Sequence, residues 1–415
     1  MTEGRVSKGW NRPQLWLGLI VGAIGLLVTA IAGLHVYMTT TATKLHPDPA
    51  AVPSTTGVAP TPEWAAATEQ GRRAVRQALS EKNLPGLSVA VGVGGRLVWA
   101  EGFGWADLER HEPMTPETQL RIGTASIALT SAAAGLLVER GTLKLDEPIQ
   151  TYVPQFPRKP WPLTVRHVMG HLAGLGNDGG DESSLFSQHC ERPVAALPAF
   201  ADDDLRFQPG TQYRFSRYDW IVVSAAIEAA ADEPFLDVMR TQVFEPLDMD
   251  ATRADSATDK IPHRAAPYFP RYSADPTYGL DPTRDLDLSC YAGGIAFLST
   301  PSDLVRFGLA IDGGRFLKPA TVQVLQTSQR LSSGEESGYG LGWDLETVPL
   351  HGTRALMVGH DGDVLGGQVA SLMTFRDRGL VVAVVSNTSY ADTFAVASAL
   401  ADAFAAPAVA KSAGK

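Results

Sequence analysis

The groups best placed to do chemistry in this chain of 415 residues are two hydroxyls at the head of an apolar helix. Thr124 and Ser126 fall in Arg121-Ile122-Gly123-Thr124-Ala125-Ser126-Ile127, at the entry to a helix-like run over 126–140 that Gly141 can stop. A helix N-terminus carries partial positive charge and free N–H donors, the setting in which an oxyanion or an activated nucleophile is stabilised. The plainer role for Thr124 is an N-cap, its oxygen accepting from one of those N–H groups. Attack on a substrate needs a base, and losing that help costs on the order of 10²–10⁴-fold. None is evident: Ile127 stands one helical turn after Thr124, and Leu129 stands at the same spacing from Ser126. His360, in Gly359-His360-Asp361-Gly362, is the one group in these motifs that titrates near neutrality.

Metal chemistry has little support. His167 and His171 are four residues apart, but no H-E-x-x-H glutamate accompanies them and Gly170 and Gly174 suit a turn, so both read as structural. Asp275, Asp281, Asp285 and Asp287 cluster without the glycine and terminal glutamate of a calcium loop and read as a solvated acidic loop. Neither a metal nor a cofactor is expected. A net charge of −10 and the lack of clustered Lys and Arg argue against nucleic acid as a partner.

The elements that must position these groups are legible in outline. Trp64, Thr68, Gly71, Val75 and Leu79 recur at helical spacing within 63–80. Strand-like runs 87–93 and 97–103 flank Gly94-Gly95, a hairpin turn, and runs 368–375 and 380–385 are joined by Arg376-Asp377-Arg378-Gly379 before a helical stretch over 392–404. Helix-like segments at 218–231 and 235–243 lie between. The pattern predicts an α/β fold: one antiparallel sheet built from both chain ends, flanking helices, and an inserted, mainly helical region.

Residues 15–38 form an apolar run interrupted only by His35, and about 20 such residues suffice to cross a membrane. Arg5, Lys8 and Arg12 precede the run and place the N-terminus in the cytoplasm and the bulk of the chain outside it. The expected organisation is a cytoplasmic start over 1–14, an uncleaved anchor over 15–38, a Thr/Pro/Ala-rich tether over 39–62, a folded domain over 63–405 and a frayed tail over 406–415. Cys190 and Cys290 either pair outside the cytoplasm or remain as two thiols.

The segment from Arg121 to Ile149 resembles the first motif of the serine β-lactamase-like family, which includes class C β-lactamases, penicillin-binding proteins, related esterases and D-amino-acid peptidases. The likeness extends over roughly 63–405 and implies a β-lactamase/transpeptidase-like fold. Thr164–Leu175 resembles the family's T-I-R-H-L-L-T-H-T-S-G-L segment, Tyr291–Gly294 its Gly-Gly strand entry, Ser299–Leu304 its helix cap, and Gly338–Trp343 its Y-G-L-G-W turn. In the family the first motif is S-x-x-K, a serine nucleophile with a proton-moving lysine; Thr124 and Ile127 stand there. Its Y-x-N segment is matched by Phe215 and Arg217. A phenyl ring keeps the bulk of tyrosine and cannot handle a proton, whereas arginine brings charge suited to a carboxylate. Gly359–Gly362 matches the H-x-G form of the third motif, which the resemblance places on the edge strand of the cleft, across from the helix.

The expectation is therefore a membrane-anchored, extracytoplasmic relative of these enzymes with no intact catalytic set at Thr124, Ile127, Phe215 and Arg217. Its work would be ligand or partner binding through Thr124, Ser126, Arg217, His360, Asp361 and Gly362. The resemblance suggests as partners a peptide or cell-wall fragment ending in a carboxylate, or an envelope protein. The competing expectation is a divergent esterase, amidase or D-amino-acid peptidase using Thr124 or Ser126 with His360 or Arg217. A third is a structural envelope component whose cleft is vestigial.

Overall fold

Glycine and β-branched residues write the sheet that carries the site. The computed structural model describes residues 12–176, 184–258, 260–283, 286–364 and 366–405. Gly94 and Gly95 both take positive φ and turn β2 (Gly86–Val93) into β3 (Arg96–Asp107), as the sequence predicts. From the other end of the chain come β4 (Asp344–Leu350), β5 (Thr353–Val364), β6 (Gln368–Phe375) and β7 (Leu380–Ser386). The two halves join where Leu380 to Ser386 pair antiparallel with Val93 to Leu87. With β1 (Ser54–Val58) at one edge, the strand order is β1-β3-β2-β7-β6-β5-β4.

Alternation along these strands feeds two cores. Val89, Val91, Trp99, Met373 and Val382 face two helices made by the chain ends, α2 (Ala65–Lys82) and α6 (Thr393–Ala405), where Trp99 stacks on Phe404 with ring centroids 5.9 Å apart. The opposite face packs on α3 (Ser126–Arg140), α4 (Arg217–Ala231), α5 (Pro301–Asp312) and the inserted loops. This is the α/β arrangement expected, with the sheet drawn from both ends of the chain.

Three local expectations change, and one alternative left open is decided. Residues 39–62 are not an extended tether: Ser54–Val58 forms an edge strand on β3, Asn83 binds the backbone at Thr43 and Leu45, and His46 is buried. The Thr and Val residues of this Pro-spaced stretch find an open sheet edge to complete. Thr124 is not an N-cap: a 3₁₀ turn over Gly123–Ala125 precedes α3, and the Thr124 hydroxyl bonds elsewhere, while Gly141 does end the helix at φ 74°. Cys190 and Cys290 form a disulfide. The acidic loop is partly structured, since Asp275 caps a turn at Thr277 and Asp287 pairs with His189; Asp285 lies outside the described residues, as do the start over 1–11 and the tail over 406–415. The N-terminal apolar run is helical, α1 (Arg12–Thr41), and its Leu19–Thr41 portion is long and apolar enough to cross a membrane and has no buried share.

Candidate functional site

The head of α3 is seated by a buried charge pair. Arg121 is fully buried and its Nε donates to Asp255 Oδ2 at 2.7 Å; Arg264 reaches the same carboxylate at 3.2 Å. Its backbone N–H donates to the Gln368 side chain on β6, fixing the segment to the sheet. Ile122, Ala125 and Ile127 then sink into the core. On the far side of α3, Ser131 donates to Leu341 O at 2.6 Å and accepts from the Trp343 indole at 3.1 Å, so the Gly338–Trp343 turn grips the helix.

β5 faces this head with its unpaired end. β4 pairs with it only as far as Gly359, and from His360 onward the described neighbour on that side is the turn around Ile122–Ala125. The approach needs glycine: a Cβ on Gly362 would lie 1.9 Å from Ile122 O and 2.8 Å from Ala125 N. The expected juxtaposition of the first and third motifs is present, but β5 is a sheet edge only over this last stretch.

At that contact the Thr124 hydroxyl donates to the Asp361 carbonyl at 2.9 Å. His360 Nδ1 lies 2.7 Å from the same oxygen, and its Nε2 lies 3.1 Å from the Tyr339 hydroxyl. A carbonyl only accepts, so Nδ1 carries the ring hydrogen and the lone pair sits on Nε2, where Tyr339 donates to it. Burial, reinforced by Asp344, pushes the Tyr339 phenol well above its ordinary pKa, so it stays a donor. The base nitrogen of His360 thus points at Tyr339, and its N–H is directed at the Asp361 carbonyl that the Thr124 hydroxyl also binds.

The other candidates are no better placed for proton transfer. Ser126 is fully buried and its Oγ has no hydrogen-bond partner among the described residues. Asp361 alternates to the α6 side of β5 and bonds Ser371; desolvation of its carboxyl pushes it up to about 6, although the residue as a whole is exposed. Phe215 packs its ring 4.6 Å from that of His171. Arg217, the first residue of α4, is half-buried and is not among the residues lining the hollow beside Thr124.

Behind Phe215 lies a polar hub whose role the sequence did not show. The Trp220 indole donates to His171 Nε2 at 3.3 Å, while His171 Nδ1 lies 2.7 Å from Asp219 Oδ2 and accepts the Ser216 backbone N–H at 3.3 Å. Burial holds the His171 pKa well below its ordinary value and pushes the Asp219 carboxyl well above its own. The hub continues through Tyr339, whose ring centroid is 5.0 Å from His171, to His360. His167 closes a capping box with Thr164. Both histidines therefore have structural partners, as their spacing among glycines suggested. Asp219 and Tyr339 were missed because they are 48 and 21 residues from the histidines they serve.

What remains open beside Thr124 is a hollow of about 300 Å³, lined by Thr124, Asp361, Asp363, Ser371, Asp392 and Thr393 among others. Most of its lining surface is apolar, and the smaller polar part is hydroxyls and carboxylates, which favour a neutral or cationic group over an anion.

Comparison with known proteins agrees with this geometry. The family model described as Beta-lactamase matches residues 72–406. The human serine beta-lactamase-like protein LACTB, mitochondrial, is 26% identical, with 78% of this chain and 77% of that protein covered. Esterase EstB of Burkholderia gladioli is 27% identical over 76% of this chain and 88% of its own length. Among solved structures, D-amino acid amidase from Ochrobactrum anthropi SV3 superposes with a TM-score of 0.68 at 21% identity, covering 81% of this chain and 98% of the amidase.

Proposed function

The chain belongs to the Beta-lactamase family, and from that premise we propose that it is a catalytically silent member that works by binding. The observation that carries this reading is the hydrogen-bond direction at Thr124. The only hydroxyl at the nucleophile position donates to the Asp361 carbonyl, the His360 N–H is directed at that same oxygen, and the two positions where relatives handle protons hold Ile127 in the core and Phe215 against His171. Ser126 is sealed from solvent.

The ligand surface we propose comprises Thr124, Asp361, Gly362 and their acidic neighbours, with His360 and Arg217 as flanking groups. The carboxylates Asp361, Asp363 and Asp392 favour an amine- or hydroxyl-bearing portion of a ligand next to Thr124. A terminal carboxylate, as on a peptide or cell-wall fragment, would have to reach the guanidinium of Arg217 outside this hollow. A protein partner in the same membrane fits the anchor equally. The apolar α1 supports membrane anchoring, and the Cys190–Cys290 disulfide supports placement of the domain in an oxidising, extracytoplasmic compartment.

The test is turnover of p-nitrophenyl acetate and of a D-amino-acid amide by the full chain and by Thr124→Val and Ser126→Ala. The reading predicts three indistinguishable, background rates. A rate in the full chain that Thr124→Val or Ser126→Ala removes would establish the divergent hydrolase instead.

A further inference from the structure

A membrane helix joined through a floppy tether leaves its domain free to tumble; here the joint is fastened. Arg271 donates to Thr41 O at 3.4 Å and approaches Met38 Sδ at 3.7 Å at the C-terminal end of α1. One turn earlier His35 meets the Tyr278 ring edge-on, with centroids 5.5 Å apart, and Tyr278 in turn contacts Tyr272 at 5.4 Å. The chain beyond α1 is pinned as well. Asn83 Nδ2 donates to Thr43 O at 3.1 Å and to Pro276 O at 3.2 Å, its Oδ1 accepts from Leu45 N at 2.9 Å, and buried His46 donates to Pro85 O at 3.2 Å. β1 then locks the strap into the sheet. A single side chain, Asn83, thus ties together the strap, the end of α2 and the loop over 271–279.

This geometry fixes where the bilayer surface meets the domain. The apolar run over 15–38 and its Leu19–Thr41 portion each have the length that crosses a hydrocarbon core, so the contacts at His35, Met38 and Thr41 fall on the last two turns of the span. The loop therefore touches α1 where the helix leaves the core. Trp16 and Tyr37, both exposed, stand near the two ends of that span, as amphipathic rings do at membrane interfaces. Tyr272, Tyr278 and Arg271 add two more such rings and a cation at the same level.

The same loop is the tip of a short strand pair, Tyr268–Pro270 with Leu280–Pro282, whose base braces the hollow beside Thr124. Thr283 Oγ1 donates to Gly366 O at 2.8 Å, at the tip of the β5–β6 hairpin that carries Asp363. Phe269 packs edge-on against Tyr390 at 5.6 Å, directly before the Ala391–Phe394 wall of the hollow. A strand of three residues is roughly 10 Å long, so the base of this pair, which braces the hollow, lies about that far from the tip that meets α1.

Resting on the reading of α1 as a membrane anchor, we infer that residues 271–279 form a docking face for the bilayer surface. This face holds the domain in one orientation with the Thr124 hollow at its membrane-proximal end. The partner is the lipid surface itself. Substances bound in the hollow reach it along the membrane, and the opposite end of the sheet, at Gly94-Gly95 and Arg376–Gly379, points away into solvent.

The experiment uses the full chain in phosphatidylcholine vesicles containing some phosphatidylglycerol, with an environment-sensitive thiol probe at Ala274→Cys, Tyr390→Cys or Asp377→Cys. Quenching by nitroxide-labelled lipids should be several-fold stronger at position 274 than at 377, with 390 between them. Equal, weak quenching at all three, in protein that floats with the vesicles, overturns the docked orientation and leaves the anchor standing. Failure to float overturns both. Asn83→Ala with Arg271→Ala should lower the signal at position 274 to that at 377 without affecting flotation; an unchanged signal overturns the assignment of these two residues as the fastening.

Discussion

The first turn of α3 and the hub around His171 meet through the Tyr339–His360 bond, yet the two regions are built on opposite terms. In the hub every group that gives shape is kept: Trp220, His171, Asp219 and Tyr339 are buried, and hydrogen bonds or ring contacts connect them. At the head of α3 the frame is equally well kept, through Arg121–Asp255 and the close approach at Gly362, while the positions that would move protons hold Ile127, Phe215 and a threonine whose hydroxyl is already donating. The lesson is that packing and catalysis make separable demands on one cleft. On the proposed reading, hydrocarbon of similar bulk keeps the packing at the positions where relatives handle protons.

The sharpest way to break the comparison is at the shared frame. Gly362→Ala forces a methyl group onto the backbone at Ile122 and Ala125, neither of which can rotate away, and should cost about 3–4 kcal/mol in denaturant unfolding. In the hub, His171→Ala leaves the Asp219 carboxyl and the Trp220 indole buried without their partner and should cost about 3 kcal/mol by the same measurement. A loss below about 1 kcal/mol in either would show that the frame is looser than its contacts indicate.

An ionisable group remote from both regions sharpens the contrast by titration. Burial, opposed by Arg376, pushes Asp312 at the end of α5 up to about 6 from 3.8. The folded state then holds the proton more tightly than the unfolded chain, so stability is present at low pH and declines as pH rises from about 4 to about 6. Asp312→Asn removes that penalty. It should stabilise by about 1–2 kcal/mol above pH 6 and by nothing below pH 4, read from melting temperatures across pH. The smallest effect is expected at the nucleophile position: Thr124→Val loses one hydrogen bond to Asp361 O, about 1 kcal/mol, and leaves ester turnover at background.

Much of this was legible in the residues, for identifiable reasons. The Gly94-Gly95 hairpin, the strands read over 368–375 and 380–385 and the terminal helices follow from local turn chemistry and periodicity. Strand β4 was not read, and the strand at Gly359–Gly362 was read only through the family resemblance, because these residues lack the β-branched signature and are held extended by β6 and by the head of α3. β1 was hidden in a stretch whose prolines suggest a tether; a free sheet edge decides its structure, and no local pattern reports that. At the site, Ile127 and Phe215 are apolar in the sequence, and the structure packs Ile127 in the core and Phe215 against His171. The direction of the bond at Thr124 and the tautomer of His360 were not legible, since both depend on Asp361 O and Tyr339 arriving from distant segments.

The most direct test of the central claim is intact-mass analysis of the full chain after prolonged exposure to a fluorescent penicillin and to an activated ester. The account predicts an unchanged mass and no fluorescence on the protein, with Thr124→Ser alone equally silent because no base is added. A stoichiometric acyl adduct mapped to Thr124 or Ser126 would contradict it.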